Sequence, residues 1–468
     1  MAESGARAVM AALADPSREG PAALFVGGCV RDTLLGREVK DVDIATVHAP
    51  DEVTARLDAA GIGYHTAGID HGTVAAHADG RVYEVTTLRV DVETDGRRAT
   101  VAYTDDWAAD AARRDFTMNA LYMDAGGRVF DPLGGIDDLR ARRVRFIGDA
   151  DERIREDALR IMRFYRFHAQ LHEPDEPAAR DLDADGLAAC RRNREMLARL
   201  SGERVRDELF KLLLAPGAIG MLDGPTYPEL FAWLLPELPD LRGSFGLTAM
   251  AVTERDVEDS PDALRRLVTL IEAFPHRTPD DLPAMHSDAA AICERLRLSR
   301  KQRERLSTML DRPRDLEPRW PVDDDDLEWD HASAMLPVPR MLAWRRRLKR
   351  DRAIDRSYRP YLHALDDEAW RDAVLLNRAD QLARMMAADE GEPARFNPEQ
   401  QWLDLLALPA REPRPEFPLR GTDAIELGVP EGPDVRRLLD EVEAWWIDGG
   451  LAAGRKACLR ELRRRASG

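Results

Sequence analysis

The sequence predicts an α+β protein in which strands and helices are mixed near the N-terminus and helices alone follow. Over residues 21–146, short apolar runs are separated by glycine turns, a pattern typical of strands. From residue 147 onward, longer segments have helical spacing of apolar residues, and proline-rich breaks separate many of them. We therefore expect a mixed sheet with helices at 1–146, helices at 147–225 and a further helical part at 226–468.

The composition narrows the class of protein. The chain has 468 residues and a net charge of −18, which argues against non-specific nucleic-acid binding by the whole molecule. Arginine is nevertheless clustered at 140–166, 345–352 and 463–465, and such clusters are either solvated helix faces or a local track for RNA. The four cysteines are scattered and suggest neither disulfides nor a zinc site.

Two further features bear on location. No apolar run approaches the ~20 residues that a membrane span needs. Residues 1–20 are predicted to form a first helix and show no basic leader. We therefore expect a cytoplasmic protein.

The stretch 24–46, LFVGGCVRDTLLGREVKDVDIAT, predicts a strand, a glycine turn, a helix and a second strand. Asp41 and Asp43 are two residues apart on that second strand, so their carboxylates project from the same side. Neighbouring carboxylates repel each other unless a cation lies between them, and oxygen ligands suit Mg²⁺. The pair is therefore a candidate Mg²⁺ site, although an isolated Asp-x-Asp is more often a solvated strand end.

A phosphate site is predicted beside this pair. Gly27 and Gly28 let the backbone approach a ligand closely, and the N–H groups at the start of the next helix favour an anion. Arg31 adds a positive charge whose donors match a phosphate. A Gly-Gly pair alone is usually only a turn, and no Gly-Lys-Ser/Thr of a Walker loop follows it.

Short strands and a loop are expected next. A helix opens after Pro50, and residues 61–90 alternate as strands joined by glycine turns. Alternation places Glu84 on one face with Thr86, so it is either a third carboxylate of the metal site or a solvent-exposed glutamate. Residues 89–112 are polar and predict a flexible loop, which leads into a helix that carries ARRDFTMNALYMD.

The segment DERIREDALRIMRFYRFHAQL predicts one strong helix. Asp157 and Arg160 are three residues apart and would lie side by side on it. A carboxylate accepts from the amino group that cytosine and adenine share, and a guanidinium donates to acceptors on the base edge, so the pair could select C and A. The usual meaning of such a pair is a surface ion pair that contributes a few tenths of a kcal/mol. Arg163 and Arg166 continue the series but rotate progressively away from Asp157, Arg166 to nearly the opposite side.

In this order and spacing, the motifs resemble the nucleotidyltransferase signature of the polymerase-beta superfamily, in the version of class II CCA-adding enzymes (tRNA nucleotidyltransferases) and bacterial poly(A) polymerases. The resemblance covers residues 22–215 well and 415–455 weakly. It implies a polymerase-beta-like catalytic head followed by an all-α neck, body and tail. The turn in DPLGG would be the hinge between head and neck.

The resemblance also implies roles for single residues. Arg114 would contact the triphosphate and Asp115 the ribose hydroxyls, as in the family's RRD motif. Residues 156–160, EDALR, match the family's base-reading EDxxR motif, and the family assigns arginines such as Arg163 and Arg166 to the nucleotide. The segment LSGERV at 200–205 would brace the base-reading helix through an ion pair of Glu203.

The function implied is template-independent addition of CCA to the 3′ end of tRNA. CTP and ATP would be the donors, pyrophosphate would leave, and two Mg²⁺ ions would be held by Asp41 and Asp43. The expected partners are the tRNA 3′ end with its acceptor arm and the two nucleotides, with no membrane and no protein partner. Residues 230–400 show no recognisable chemistry.

Four alternatives stay open. A bacterial poly(A) polymerase usually carries a basic run of the form GRRFxLxH after the Asp pair, and this chain has none there. A CC-only enzyme lacks part of the flexible loop, which is full length here at 89–112. A non-catalytic RNA-binding protein on an inactive polymerase fold is disfavoured by the intact Asp pair. Nucleotide transfer to a protein or a small molecule is disfavoured by the base-reading helix and the helical parts after it.

Overall fold

The structure is a computed structural model that describes residues 4–69, 72–95, 98–172, 182–218, 222, 224–318, 358–388 and 399–466. Two compact units divide the chain. The first comprises Met1–Ser244 with Ala290–Ser299, and the second comprises Phe245–Ala289 with Arg300–Gly468. The boundaries expected near residues 146 and 225 both fall inside the first unit and stay predictions. The arginine cluster at 345–352 lies outside the described residues.

A mixed sheet forms the centre of the first unit, as predicted. Its strands are β1 (Ala23–Val26), β2 (Val42–Thr46), β3 (Gly63–His65), β4 (Thr73–Ala78), β5 (Arg81–Thr87), β8 (Tyr122–Met123) and β9 (Val129–Phe130). Their order across the sheet is β3-β4-β5-β2-β1-β8-β9. Among these pairings β2 and β5 run parallel and the others antiparallel, so the N-terminal ends of β2 and β5 meet at one edge.

Helices accompany this sheet where the sequence predicts them. They are α1 (Ser4–Ala12), α2 (Gly28–Leu34) and α3 (Pro50–Ala59). Pro50 occupies the first turn of α3, where its missing N–H costs nothing. All four residues of β1 are buried, and Leu24 and Val26 pack with Ala45 of β2 and Tyr122 of β8. This apolar centre fixes the positions of the strand ends that carry the polar residues.

Two predictions for residues 89–123 are wrong. The expected flexible loop is a hairpin of β6 (Arg89–Asp95) and β7 (Arg98–Tyr103), because apolar and polar residues alternate there despite the polar composition. The helix expected to carry ARRDFTMNALYMD is only α4 (Trp107–Ala112). After it Phe116 forms a bridge with Phe146, a 3-10 turn covers Thr117–Asn119, and β8 begins, since burial of these apolar side chains in the sheet outweighs their helical spacing.

The glycine turn at DPLGG is firmly packed. It leads into α5 (Gly135–Arg140), and a side chain at Gly135 would come within 2.2 Å of the Thr117 carbonyl oxygen. The Asp131 carboxylate accepts hydrogen bonds from the backbone N–H groups of Gly135 at 2.8 Å and Ile136 at 3.0 Å. The expected hinge role of this turn stays a prediction.

The segment predicted as one strong helix is two. The helix α6 (Ala150–Glu156) ends before Asp157, and α7 (Leu159–Leu171) begins just after it. Asp157 has φ −152° and ψ 106°, and its side chain accepts from the backbone N–H of Leu159 at 3.1 Å. An aspartate that bonds its own backbone in this way competes with a continuous helix. The helices α8 (Ala184–Asn193) and α9 (Gly202–Leu213) follow as predicted, and α10 (Thr226–Leu234) comes after them.

The described part of the second unit is helical, in agreement with the predicted body and tail. Its helices are α11 (Gly246–Asp256), α12 (Ala263–Glu272), α13 (Leu282–Arg295, which ends in the first unit), α14 (Arg300–Leu310), α15 (Arg359–Ala364), α16 (Asp367–Ala387), α17 (Glu399–Leu406), α18 (Leu408–Arg411), α19 (Gly421–Glu426), α20 (Pro433–Asp448) and α21 (Arg455–Ala466). Among the described residues we find no helix with the length and apolar character that a bilayer crossing requires.

Candidate active site

The predicted phosphate cradle, Gly27, Gly28 and Arg31, lies at the turn between β1 and α2. Gly27 has φ 72° and ψ −124°, a conformation that L side chains rarely adopt, and it precedes the first residue of α2. Its N–H donates to the Leu121 carbonyl oxygen at 3.0 Å, which ties the turn to the segment before β8. The predicted order of strand, glycine turn, helix and strand is therefore confirmed.

Three carboxylates meet near the N-terminal ends of β2 and β5. Asp43 on β2 lies directly opposite Glu84 on β5 in the parallel register, and Asp41 immediately precedes β2. Burial raises the pKa of Asp43 to about 6; the charges of Glu84 and Asp41 add to this effect and Arg114 opposes it. Strand alternation is as predicted, since Tyr83 is buried and Glu84 exposed.

These three carboxylates lack the arginine partners that other acidic side chains of the first unit have. Among the described residues, Asp41, Asp43 and Glu84 have no salt-bridge partner. The same residues contain no set of three His, Cys, Asp or Glu side chains already arranged as a metal site. The carboxylates are thus close enough to influence each other, and their role as metal ligands stays a prediction.

Arg31 is held firmly beside the glycine turn. Its guanidinium donates to both carboxylate oxygens of Asp32, at 2.8 Å and 3.0 Å, and to Asn119 Oδ1 at 2.9 Å. The Arg31 side chain is 12% exposed. Each of its three nitrogens therefore already donates within the chain, which orders the guanidinium before any ligand binds, and its role at a phosphate stays a prediction.

Asp110 organises the arginines of the RRD motif, and sequence reasoning missed it. Its buried carboxylate accepts from Arg113 Nε at 2.8 Å, from Arg114 Nη2 at 2.9 Å and from the Tyr122 hydroxyl at 2.8 Å. Although burial opposes ionisation, these arginines keep the pKa of Asp110 below its usual range. The spacing of three and four residues from Asp110 to the two arginines was the available signal.

The Asp115 side chain is buried and forms an ion pair with Arg163. Its Oδ2 accepts from Arg163 Nε at 2.7 Å, and its Oδ1 accepts from Asn119 Nδ2 at 3.1 Å and from the backbone N–H of Phe116 at 2.9 Å. Asn119, which sequence reasoning also missed, therefore joins Asp115 to Arg31. Its position four residues after Asp115 is the signal that could have identified it.

The predicted base-reading pair is not an ion pair in this structure. Asp157 Oδ2 accepts from Arg204 Nη2 at 2.8 Å, whereas Arg160 pairs with Glu156 and donates to the Arg153 carbonyl oxygen at 2.9 Å. The cause is the break at Asp157, which removes the helical geometry that would have set the two side chains side by side. The LSGERV segment does brace Asp157, but through Arg204.

The other residue of that segment behaves differently. Glu203 is exposed and has no ion-pair partner among the described residues, so the pair expected for it is wrong. Arg166, the last of the predicted nucleotide-binding arginines, is buried and paired with Glu208, and it donates to Gln170 Oε1 at 2.8 Å. Its role at the nucleotide stays a prediction.

Known protein families and relatives match both the residues of the sheet and those of the helices after it. The sequence matches the Poly A polymerase head domain family over residues 23–145, and over residues 181–241 a family described as the probable RNA and SrmB-binding site of polymerase A. It is 31% identical over 429 residues to CCA tRNA nucleotidyltransferase 1, mitochondrial, of Danio rerio, which covers 90% of this chain and 82% of that protein. It is 44% identical over 204 residues to the CCA-adding enzyme of Geobacillus thermodenitrificans, 43% of this chain and 48% of the relative.

A solved structure is similar to this chain over nearly its whole length. The structure of the Bacillus stearothermophilus CCA-adding enzyme in complex with CTP aligns with 95% of this chain and 93% of its own, with a TM-score of 0.66 and 27% identity. The likeness thus extends over both compact units and is not limited to the sheet.

Proposed function

The chain belongs to the family of CCA-adding tRNA nucleotidyltransferases, and on that premise we propose that it adds CCA to the 3′ end of tRNA from CTP and ATP and releases pyrophosphate. The observation that carries this proposal is the similarity to the Danio rerio CCA tRNA nucleotidyltransferase, 31% identity over 90% of this chain. It spans the sheet with its carboxylates and the helices after it. A cytoplasmic location stays a prediction, since the Danio rerio, human and mouse relatives are named as mitochondrial.

We propose Asp41, Asp43 and Glu84 as the residues that would hold Mg²⁺. Three facts support the fit: all donors are oxygens, no salt bridge to these carboxylates is present among the described residues, and burial with neighbouring charge raises the pKa of Asp43. When bound, Mg²⁺ supplies Lewis-acid stabilisation of the charge that develops on the phosphoryl oxygens and favours deprotonation of the attacking hydroxyl.

The arginines around this site would bind the triphosphate. Arg31 is fixed by Asp32 and Asn119, and Arg114 is fixed by Asp110, so neither side chain needs to be ordered when the nucleotide arrives. Arg114 also opposes the rise in the pKa of Asp43, so its charge acts on that carboxylate of the expected metal site. Gly27 keeps the backbone beside them free of a side chain.

The remaining residues would bind the sugar and the base. Asp115 has both carboxylate oxygens engaged by Arg163, Asn119 and the backbone, so accepting a ribose hydroxyl requires it to exchange one of these partners. Asp157 is held by Arg204 and keeps acceptor capacity for the amino group of cytosine or adenine. Arg160 would supply the donors for the same base.

The test is an extension assay with a tRNA transcript that lacks its 3′ CCA. The protein is incubated with Mg²⁺ and CTP, ATP or both, and the new 3′ ends are sequenced. We expect CCA with both nucleotides, CC with CTP alone and no addition with ATP alone. A transcript that already ends in CCA is the matched substrate control, and Asp41→Ala is the matched protein control.

Each other outcome contradicts the proposal in its own way. A long A tract with ATP alone would identify a poly(A) polymerase, and CC that is never followed by A would identify a CC-adding enzyme. No incorporation by a folded wild-type protein would favour a non-catalytic RNA-binding protein. Activity of Asp41→Ala equal to that of the wild type would contradict the metal assignment alone.

A further inference from the structure

One phenyl ring in the first unit is surrounded by three arginines. Phe167 lies on α7, and its ring centroid is 5.0 Å from the guanidinium carbon of Arg31, 5.1 Å from that of Arg163 and 3.9 Å from that of Arg166. The Phe167 side chain is buried, and its ring meets Phe116 nearly edge-on with centroids 5.6 Å apart. The ring therefore cannot move without displacing the core beneath it.

The three guanidinium groups would repel one another without compensation. Burial lowers the pKa of Arg166, the ion pair with Glu208 opposes this, and the charges of Arg163 and Arg31 lower it further. Each arginine also has its own acceptor at its edge: Asp32 for Arg31, Asp115 for Arg163 and Glu208 for Arg166. The carboxylates thus hold the edges of the guanidinium planes, and the electron-rich ring attracts the cations.

Arg31 and Arg163 belong to different parts of the expected nucleotide site. Arg31 follows the glycine turn, whereas Arg163 pairs with Asp115. Asn119 links the two parts through one amide, since it accepts from Arg31 at 2.9 Å and donates to Asp115 at 3.1 Å. Phe167 is the second link, and it contacts both arginines directly.

We propose that Phe167 is a positioning residue of the nucleotide site, whose ring fixes Arg31 and Arg163 relative to each other before the nucleotide binds. This inference rests on the proposed function, because it assigns both arginines to one nucleotide. Phe167 touches no reacting atom in this role. It acts by removing the cost of ordering two long side chains, so its loss weakens nucleotide binding more than it slows the chemical step.

The test replaces the ring by an aliphatic side chain of similar burial, Phe167→Leu. We expect the Kd of CTP and of ATP, measured calorimetrically without tRNA, to rise roughly 3- to 30-fold, the range that one or two lost cation–π contacts predict. The KM of both nucleotides should rise in parallel, while the KM of tRNA stays unchanged and kcat changes less.

Phe164→Leu is the matched control. Phe164 lies on the same helix, is fully buried and stacks on Phe146 at 5.6 Å, and its ring has no guanidinium contact among the described residues. Both substitutions remove the same atoms from the core, so their Tm values should fall by similar amounts. Only Phe167→Leu should weaken nucleotide binding. Equal nucleotide affinities in the two variants would overturn the inference.

A double-mutant cycle with Arg31→Ala adds a readout that a purely structural role would not move. If Phe167 acts through Arg31, then Phe167→Leu should weaken CTP binding less in the Arg31→Ala background than in the wild type. Full additivity would contradict the inference. Should Phe167→Leu fail to fold, Phe167→Met, which fills the space with a flexible apolar chain, takes its place in both experiments.

These outcomes are separate from those of the proposed function. A wild-type protein that completes CCA, together with a Phe167→Leu variant of unchanged CTP affinity, would overturn this inference alone. A wild-type protein that binds CTP but extends no tRNA would overturn the proposed function, and a weakened CTP affinity of Phe167→Leu would still support the positioning role.

Discussion

Among the described residues, a group of buried acids in the second unit is paired with arginines, whereas three carboxylates at the sheet edge of the first unit have no such partner. In the second unit Glu254 is buried and accepts from Arg265 at 3.2 Å and from Arg266 at 2.8 Å. Arg312 is buried there as well and is paired with Glu272 and with Asp380 at 2.6 Å. Asp41, Asp43 and Glu84 of the first unit repel one another, and no arginine or lysine in the described part of the chain forms a salt bridge with them.

This difference separates charge that stabilises the fold from charge that we propose is kept for a ligand. A partly buried carboxylate such as Asp43 costs free energy when no cation lies beside it, so a fold retains such a group only where another requirement outweighs the cost. Asp41 and Glu84 are exposed, so this cost concerns Asp43. In the second unit each of these acids is satisfied by the chain itself. In the first unit the three carboxylates have no salt-bridge partner among the described residues, and their role as ligands of a cation stays a prediction.

The largest effect is expected for Asp43→Asn, which removes one of the repelling charges and keeps the side-chain shape. Nucleotide incorporation should fall at least about 10⁴-fold, because a ligand of the catalytic ion is lost. The Tm should stay the same or rise, since the repulsion from Glu84 and Asp41 is relieved. Extension assays and thermal melts check the two expectations. A strong loss of stability would mean that Asp43 supports the fold, as Glu254 does.

Arg312→Met tests the other side of the comparison. It removes the buried one of the two arginines, Arg312 and Arg314, that pair with both Glu272 and Asp380, so the free energy of unfolding should fall by up to about 3 to 5 kcal/mol. The kcat per folded molecule should not change. Urea unfolding and active-site titration measure the two quantities. Arg437→Met, which removes an exposed arginine of the same unit, is the control and should leave the unfolding midpoint where it is.

A smaller effect is expected where a paired charge also belongs to the site. Arg204→Met removes the partner of Asp157 and should reduce kcat/KM for CTP and ATP about tenfold, because the carboxylate is then less well oriented. Arg192→Met is the control, since Arg192 makes a similar exposed pair with Asp151 at 2.6 Å. Equal kcat/KM values in the two variants would show that the Arg204 contact has no part in base selection.

The sequence predicts the polar ends of strands better than it predicts the partners of their side chains. The order of strand, glycine turn, helix and strand around Asp43 follows from local patterns, and so does the face of Glu84. These patterns depend on periodicities of a few residues, which a sequence displays directly.

The loop expected at 89–112 and the single helix expected around Asp157 were wrong for local reasons, whereas other outcomes depend on contacts over longer distances. The helical pattern at Phe116 is replaced by a bridge with Phe146, 30 positions away. Asp157 pairs with Arg204, 47 positions away, a partner that its own helix pattern does not show. Asp110 and Asn119 were missed because their importance lies in the groups that they join, and one sequence does not show which groups the fold brings together. Local spacing gives candidates for such residues and leaves the choice among them to the tertiary structure.

His168 extends the comparison to a buried group that is kept neutral and has no ion pair with any residue that the structure describes. It is fully buried on α7, its Nδ1 lies 2.9 Å from the Tyr227 hydroxyl, and its ring is 4.3 Å from that of His172. Burial lowers the pKa of His168 to about 3, and the neighbouring His172 adds to this effect. As the pH falls below about 6.5, the unfolded chain binds a proton on His168 that the folded chain does not bind. The free energy of unfolding should therefore decrease by about 1.4 kcal/mol for each unit by which the pH is lowered, from this group alone.

His168→Gln keeps a group that can bond to Tyr227 and removes the titration. Urea unfolding of both proteins at pH 7.5 and pH 5.5 should show a smaller loss of stability in the variant, by about 1.4 kcal/mol. The value at pH 7.5, where the histidine is largely neutral in the folded and the unfolded chain, is the reference for the cost of the substitution itself. An equal pH dependence in the two proteins would mean that the folded chain accepts the proton on His168, and that the first unit tolerates charge at this position as well as at its carboxylates.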